Sequence, residues 1–152
     1  MNKSLTSFTI ALITCCLGTV SAFAQKPKPS AQYKISSIKI VEFDENKGKF
    51  GDEVTKDSFF ANDFSTSLFV TVELSGDPGY VPARNVQLTV TEGRKVKLSK
   101  LARPGILGEE GKYYIPLWLY GPICDSLKIQ AAVTGQTTRS TMSRTVSAHC
   151  GE

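Results

Sequence analysis

The feature that most constrains this chain is a two-residue alternation of apolar and polar side chains, which recurs from residue 33 almost to the C-terminus. The alternation is clearest where aliphatic residues fill every second position, namely Leu68, Val70, Val72 and Leu74. Successive side chains of a β-strand point to opposite faces of the sheet, so this pattern predicts strands with one buried face. No window shows a helical period of useful length, and we therefore expect an all-β protein.

Seven segments show this alternation, and turn-forming residues separate them. The residues predicted to face inward are, segment by segment, Ile38, Ile40; Leu68, Val70, Val72, Leu74; Val86, Leu88, Val90; Val96, Leu98; Ile115, Leu117, Leu119; Leu127, Ile129, Ala131, Val133; and Met142, Val146, Ala148. A tight hairpin is expected at Glu92, Gly93 and Arg94. Seven short strands within about 115 residues predict two antiparallel sheets packed face to face, which is a β-sandwich.

At this level of pattern, residues 33–150 resemble the immunoglobulin-like and fibronectin III-like β-sandwich superfamily. The sequence DSLKIQA, at positions 125–131, looks like the penultimate strand of that superfamily. A tyrosine normally follows the aspartate there and forms the tyrosine corner, whereas Leu127 or Lys128 occupies that place in this chain. The resemblance implies an immunoglobulin-like sandwich of about seven strands.

Residues 1–24 predict a cleaved signal peptide. Lys3 supplies the positive start, an apolar or small run covers 5–20, and the Ala-Phe-Ala at 22–24 is a cleavage signal. The apolar run is shorter than the roughly 20 residues that span a bilayer, so no transmembrane segment is expected in the mature chain. We expect a secreted or periplasmic protein with an extended basic, proline-containing lead at 25–32 and a β-sandwich domain at 33–152.

An alternative for the leader is lipidation. The sequence Leu-Ile-Thr-Cys at 12–15 resembles the motif at which a bacterial lipoprotein is cut before an acylated cysteine. Thr14 stands where that motif requires a smaller residue, so cleavage after residue 24 is the main expectation and lipoprotein anchoring is the alternative.

Removal of the leader leaves two cysteines, Cys124 and Cys150, which lie 26 positions apart. Two thiols outside the cytosol usually pair, so we expect one disulfide that joins the two ends of the last hairpin. Pairing of Ile129 with Val146 in that hairpin leaves Cys124 one residue out of step, so irregular backbone is expected at 123–126. A metal site with His149 is disfavoured, because His149 and Cys150 are adjacent and point to opposite faces of a strand.

Charge and motifs exclude several functions. Without Lys3 the formal net charge falls from +4 to +3, and the basic residues are scattered, so nucleic acid is not an expected partner. The chain has one histidine and neither a Gly-x-Ser-x-Gly elbow nor a His-Glu-x-x-His zinc motif. We therefore expect no catalytic residues, no cofactor and no enzyme activity.

The sequence DENKGKFGDE at 44–53 looks at first like a calcium loop. An EF-hand requires Gly at its sixth position and Glu at its twelfth, and this stretch has Lys49 and Thr55 there. We expect a polar turn that opens a long connector, 44–65, whose later part folds back so that Phe60 or Phe64 is buried.

The fifth predicted strand, YIPLWLY at 114–120, is the main candidate for a binding surface. If its aliphatic residues face the core, Tyr114, Trp118 and Tyr120 share the opposite face, as in a sugar-binding platform or a protein hot spot. Pro116 lacks an N–H group, which predicts an edge strand or a bulge. The alternative is that Trp118 belongs to the core, or that residues 101–107 or the long connector cover the aromatics.

Three functions remain open from the sequence. The leading hypothesis is an exported noncatalytic sandwich that acts through contacts with a protein partner, as an envelope accessory, adhesion or assembly component. An alternative is a carbohydrate-binding module that holds a glycan on Tyr114, Trp118 and Tyr120. A third is an inhibitor of a secreted hydrolase that presents the loops at 76–82 and 103–108.

Overall fold

The computed structural model of the chain describes residues 32–55, 61–62, 66–81 and 84–150, with the side chains of 61–62 and 149–150 left out. The predicted signal peptide, nearly all of the basic lead, and Phe60 and Phe64 lie outside the described residues. The described parts contain strands and no helix. The strands are β1 (Lys34–Asp44), β2 (Lys49–Glu53), β3 (Ala61–Asn62), β4 (Thr66–Ser75), β5 (Gly79–Tyr80), β6 (Asn85–Glu92), β7 (Lys95–Ala102), β8 (Ile106–Leu107), β9 (Lys112–Leu119), β10 (Leu127–Thr134), β11 (Ser140–Val146) and β12 (His149–Cys150).

Two four-stranded antiparallel sheets form the β-sandwich, which confirms the predicted fold class. The first sheet has the order β2-β1-β4-β9 and the second has the order β11-β10-β6-β7. All seven predicted strands are present, as β1, β4, β6, β7, β9, β10 and β11. The eighth, β2, was not predicted. Two short pairs complete the topology: β5 with β8, antiparallel, and β3 with β12, parallel.

The core lies between the sheets and is filled by every second residue of the long strands. In β4 the buried aliphatic residues are the four that define its alternation, each with no exposed surface. Leu88 of β6 and Ile129 of β10 meet them from the second sheet and are also fully buried. Full burial of one such side chain stabilises a fold by about 1.5–3 kcal/mol, so the alternation provides the main driving force for this architecture.

Three details of the sequence prediction are wrong. Val96 does not share the buried face with Leu98, because a bulge in the β6–β7 pairing turns it outward and leaves it 62% exposed. The hairpin register differs by two residues, since Val146 pairs with Leu127 rather than with Ile129. Cys150 is not part of that hairpin, because β11 ends at Val146 and the backbone of Cys150 pairs with β3.

Other local predictions are confirmed. Glu92 pairs with Lys95 across a two-residue turn in which Gly93 has a φ of 52°, so the predicted tight hairpin is present. Residues 123–126 form no regular strand, as expected. Cys124 lies within this irregular stretch. The side chain of Cys150 lies outside the description, and its pairing with Cys124 stays a prediction.

The two lateral seams of the sandwich differ in how they are closed. Along the β1–β11 seam, Arg144 reaches from the second sheet and donates to the carbonyl oxygens of Ile38, at 2.7 Å, and Val54, at 2.5 Å. The Ser140 hydroxyl accepts from the Ile35 amide in the same seam, at 3.0 Å. Along the other seam, edge strands β7 and β9 are not paired with each other, and two clefts of about 230 and 360 Å³ lie between them.

Candidate functional site

The sequence that suggested a calcium loop forms the turn between β1 and β2. Asp44 pairs with Lys49, and Gly48 has a φ of 60°, a conformation that glycine adopts without strain. The Asp44 carboxylate accepts the Lys47 amide at 3.0 Å and the Lys47 ammonium at 2.7 Å. These hydrogen bonds hold the pKa of Asp44 below its usual range. The predicted polar turn is thus present, and its Asp44 carboxylate is hydrogen-bonded to Lys47.

This turn adds β2 to the first sheet and so brings Phe50 to its outer surface. Phe50 pairs with Phe43 of β1, and their ring centroids are 5.0 Å apart. Phe50 also contacts Phe69 of β4, at 5.7 Å, and Trp118 of β9, at 6.2 Å. One ring from the edge strand thus reaches aromatic residues on the three other strands.

We call the resulting surface the aromatic face, and its residues are Phe43, Phe50, Phe69, Trp118 and Tyr120. Trp118 connects the group, since its ring lies 5.1 Å from Phe43, 5.3 Å from Phe69 and 6.2 Å from Tyr120. Phe69 and Trp118 are direct cross-strand partners, the arrangement in which side chains of neighbouring strands interact most strongly.

A small residue in β4 allows rings from β1 and β9 to meet across it. Ser67 lies opposite Phe43 of β1. The next residue of β4, Leu68, pairs with Leu119 of β9. Ser67 is only 1% exposed, and its hydroxyl donates to the carboxylate of Glu45. A larger side chain at this position would occupy the space in which Phe43 and Trp118 approach each other.

The aromatic face is open to solvent in part. Phe50 is 56% exposed and Tyr120 is 70% exposed, whereas Phe43, Phe69 and Trp118 are half-buried. The indole Nε1 of Trp118 is buried and has no hydrogen-bond partner among the described residues. The part of Trp118 that solvent reaches is therefore carbon surface rather than the N–H group.

Of the three residues named from the sequence, Tyr114 and Trp118 lie on the outer face of β9 and Tyr120 follows its last residue, and only Trp118 and Tyr120 are in contact. Tyr114 is 51% exposed and lies four positions from Trp118, opposite Glu73 of β4. Pro116 lies between them on a strand at the edge of the first sheet, as its missing N–H predicted. No ring contact joins Tyr114 to the aromatic face within the described residues.

Sequence reasoning missed Phe43, Phe50 and Phe69. Phe69 alternates with the buried Leu68 and Val70 of a predicted strand, so its outward position was a usable signal. Phe43 lies between Glu42 and Asp44, neither of which is buried, and so lacked that signal. Local alternation does not show that β1, β4 and β9 are neighbours in the sheet, so it did not indicate that these rings meet. Phe50 had no signal of this kind, because all five residues of β2 are exposed.

The outer face of the second sheet has a different chemistry. One row that crosses all four strands consists of Ser99, Thr89, Gln130 and Ser143. Such polar residues are normal on the solvated side of an antiparallel sheet. The concentration of rings on the first sheet is thus a property of that sheet and not of the fold.

Two carboxylates outside the aromatic face have shifted pKa values. Burial would raise the pKa of Glu92, but hydrogen bonds from Lys97 and from the Cys124 amide, at 2.6 Å, hold it below the usual value. Burial raises the pKa of Glu42, and the nearby charge of Asp52 raises it further. Glu92 joins β6 to β7 and to the irregular stretch before β10, which is a structural role.

The loops named for a hydrolase inhibitor meet at one end of the sandwich. β5 lies in the first loop and β8 in the second, and the two pair with Tyr80 opposite Ile106. Tyr80 is 72% exposed and Ile106 is 68% exposed, so the pair presents a second, smaller apolar surface.

No described set of three or more His, Cys, Asp or Glu side chains is grouped so that it could hold a metal ion. Over the same residues, the chain contains no helix of the length and apolarity needed to cross a membrane. In comparisons with known proteins, no protein-family model matches the chain, and no curated protein matches it. Inference about its function therefore depends on the surfaces described above.

Proposed function

We propose that this protein is an exported, noncatalytic binding module that contacts a protein partner through its aromatic face. The observation that carries the proposal is the cluster of five rings on one outer sheet face, of which Phe50 and Tyr120 are more than half exposed. Aromatic side chains supply large contact area with few rotatable bonds, and they are enriched where protein interfaces derive most of their energy.

The contrast between the two outer faces supports this assignment. Over β6, β10 and β11 the second sheet shows the polar surface expected of a sheet that meets water, as in the row through Thr89 and Gln130, and its exposed aliphatic residues Val96 and Leu101 lie on edge strand β7. Contiguous apolar surface on a soluble domain usually marks a site of interaction. A solvated sheet has no need of five clustered rings, so a partner that covers them explains their presence.

The ring geometry favours a protein over a glycan. The planes of the contacting rings are inclined to one another by 48–72°. A sugar stacks on the flat face of an aromatic ring, and a glycan platform needs ring faces that lie open side by side. Edges and tilted faces suit the irregular apolar surface of a protein, and the buried Nε1 of Trp118 offers no donor to a sugar hydroxyl.

The finer fold assignment that we propose is immunoglobulin-like. Taking β1, β4 and β9 as strands A, B and E, and β11, β10, β6 and β7 as G, F, C and C′, the observed order supports it. Leu127 begins β10, where a tyrosine corner would bring a tyrosine, so the chain lacks that hallmark. Export through the leader at 1–24, and a disulfide between Cys124 and Cys150, belong to the same proposal.

Site-specific photocrosslinking in cells that export the chain tests the proposal. Benzoylphenylalanine at position 50 or 120 should give the same discrete protein adduct, because both positions lie on the aromatic face. The matched control places it at position 89, on the polar face of the second sheet, where no such adduct is expected. Adducts equally strong at all three positions, or none at 50 and 120, would contradict the proposal.

The glycan alternative has a direct readout, because Trp118 is the one tryptophan of the chain. Titration of the purified protein with a panel of glycans should leave its tryptophan fluorescence unchanged, whereas the crosslinked partner should alter it. A saturable shift with a glycan that Trp118→Ala abolishes, while the circular dichroism spectrum is unchanged, would replace the protein-contact proposal by the glycan one.

A hydrolase inhibitor remains a second candidate, supported by the pairing of β5 with β8 and by the exposure of Tyr80 and Ile106. Inhibition of an exported protease that Tyr80→Ala removes and Phe50→Ala leaves intact would favour it. Loss with Phe50→Ala would instead assign the effect to the aromatic face.

A further inference from the structure

A second surface lies along the seam between β7 and β9. The cleft of about 230 Å³, here called the upper cleft, is lined by apolar side chains that include Leu98, Leu119 and Ile123. The cleft of about 360 Å³, the lower cleft, is lined by Ile115 and residues of β7. The opposite seam is crossed by Arg144, whereas this one has a free strand edge on each side among the described residues. The sandwich is thus open along one side only.

Of the two free edges, β7 is the better template for another strand. Pro116 removes one N–H group from β9, and a proline within a strand turns its nitrogen toward the unpaired side. β7 contains no proline and pairs only with β6, so its outward N–H and C=O groups are unpaired with any described strand. An extended segment can add to such an edge through backbone hydrogen bonds.

The charge of this edge defines the segment that fits. Basic side chains line the seam: Lys97, which is ion-paired with Glu92, lies beside the upper cleft, and Lys100 and Arg103 lie beside the lower one. No acidic residue lines either cleft. Apolar Val96 and Leu101, 62% and 48% exposed, lie on the outer face of the same strand, opposite Thr91 and Gln87 of β6, whereas Lys100 lies opposite Leu88 on the inner side.

We propose that β7 binds an extended segment of a partner protein in which acidic and apolar side chains alternate, added as a strand in the seam. Acidic residues of the segment would lie opposite Lys100 and near Arg103, and apolar ones would cover Leu101 and Val96, since directly opposite residues in a sheet interact most strongly. The upper cleft adjoins the aromatic face through Trp118 and Tyr120, whereas Lys100 and Arg103 lie beside the lower cleft, which contains no residue of that face. The inference goes beyond the function proposed above.

Charge complementarity excludes two occupants that this chain itself could supply, a second copy of β7 and the N-terminal lead. A second copy that paired β7 with β7 would bring lysines against lysines. The lead of this chain, QKPKPSA at 25–31, is basic and carries two prolines. The competing explanation is that the lysines only block pairing, because charged edge residues are a common protection against aggregation. Under that explanation an acidic segment would not add to β7.

The experiment uses the mature chain and a fluorescein-labelled ten-residue peptide of alternating Glu and Val, with a Lys-Val peptide of equal length for comparison. Fluorescence anisotropy should show saturable binding of the Glu-Val peptide and at least tenfold weaker binding of the Lys-Val peptide. Lys100→Glu with Arg103→Glu should weaken the Glu-Val peptide at least tenfold. The matched control, Lys128→Glu with Arg139→Glu, makes the same charge change at exposed residues elsewhere and should alter the affinity less than twofold.

Amide hydrogen exchange separates strand addition from simple charge attraction. The bound peptide should slow exchange of β7 amides at least tenfold and leave those of β2 unchanged. Binding without protection of β7, or no binding of the Glu-Val peptide, would overturn the proposal. Phe50→Ala should leave peptide affinity unchanged while it reduces crosslinking at the aromatic face, so failure of either proposal is seen independently of the other.

Discussion

Replacement of Arg144 by alanine should open the closed seam of the sandwich. The guanidinium donates to the carbonyl oxygens of Ile38 and Val54, at 2.7 and 2.5 Å, and pairs with the carboxylate of Glu53 at 2.6 Å. Hydrogen bonds that involve a charged group contribute about 1.5–3 kcal/mol each. The Glu53 pair adds little, about 0–1 kcal/mol, because that side chain is 43% exposed.

The expected loss follows from these terms. The Arg144 side chain is itself 24% exposed, so water can reach part of the site in the variant. We therefore use the lower end of the hydrogen-bond range, about 1.5 kcal/mol for each of the two bonds to carbonyl oxygens. We expect Arg144→Ala to lower the free energy of unfolding by about 3 kcal/mol. With a urea dependence of about 2 kcal/mol per molar, the midpoint should fall by about 1.5 M.

Urea unfolding followed by circular dichroism measures this shift. The control is Arg139→Ala, at an exposed arginine in the turn before β11, which should change stability by no more than about 0.5 kcal/mol. Arg144→Lys keeps the charge but loses the fork that serves two carbonyls, so about half of the loss is expected. A midpoint for Arg144→Ala equal to that of the control would refute the assignment of seam closure to this side chain.

Three further outcomes are expected. Gly111→Ala should lower the free energy of unfolding in urea by at least about 2 kcal/mol, because the new Cβ would lie 2.2 Å from the carbonyl oxygen of Gly76. Gly48→Ala is the control: its φ is similar but no atom lies within 4 Å of the new Cβ, so the loss should be only about 1 kcal/mol. Because the pKa of Glu92 is lowered in the folded state, its ionised carboxylate contributes stability above its unfolded pKa of about 4.3, and this stability is lost as pH falls through the folded value. Glu92→Gln should therefore flatten the dependence of unfolding free energy on pH below about pH 5. The exported chain should show no free thiol before reduction, and loss of a Cys124–Cys150 bond should lower stability by roughly 3.5 kcal/mol in denaturation with and without reductant.

The strands were predictable because a sheet with one buried face imposes a two-residue period that the sequence must carry. β4 and β10 show it without interruption, and each lies where the alternation placed it. Register was less predictable, since it depends on partners far along the chain and on bulges. One bulge in the β6–β7 pairing was enough to turn Val96 from the predicted core to solvent.

The aromatic face was only partly predictable for the same reason. Tyr120 and Trp118 belong to one segment, so their common face follows from local alternation. The contacts of Trp118 with Phe43 and Phe69 depend on the order of the strands in the sheet, which no local pattern contains. Phe50 could not be recognised from the sequence, because both faces of β2 are exposed and the strand shows no apolar period.

The position of Phe50 links binding to the order of β2. Every residue of β2 is exposed, so the strand is held by its pairing with β1, by the contacts of Arg144 with Glu53 and Val54 at its end, and by the three ring contacts of Phe50. Contacts between aromatic rings contribute about 0.5–1.5 kcal/mol each, so this one side chain carries much of the attachment. A partner that covers Phe50 would add the apolar burial that β2 lacks, and binding and ordering of the strand would then stabilise each other. Phe50→Ala would weaken both, whereas Tyr120→Ala removes contact surface outside β2. Loss of binding in Tyr120→Ala, with β2 amides still protected, would assign the binding energy to the aromatic face itself.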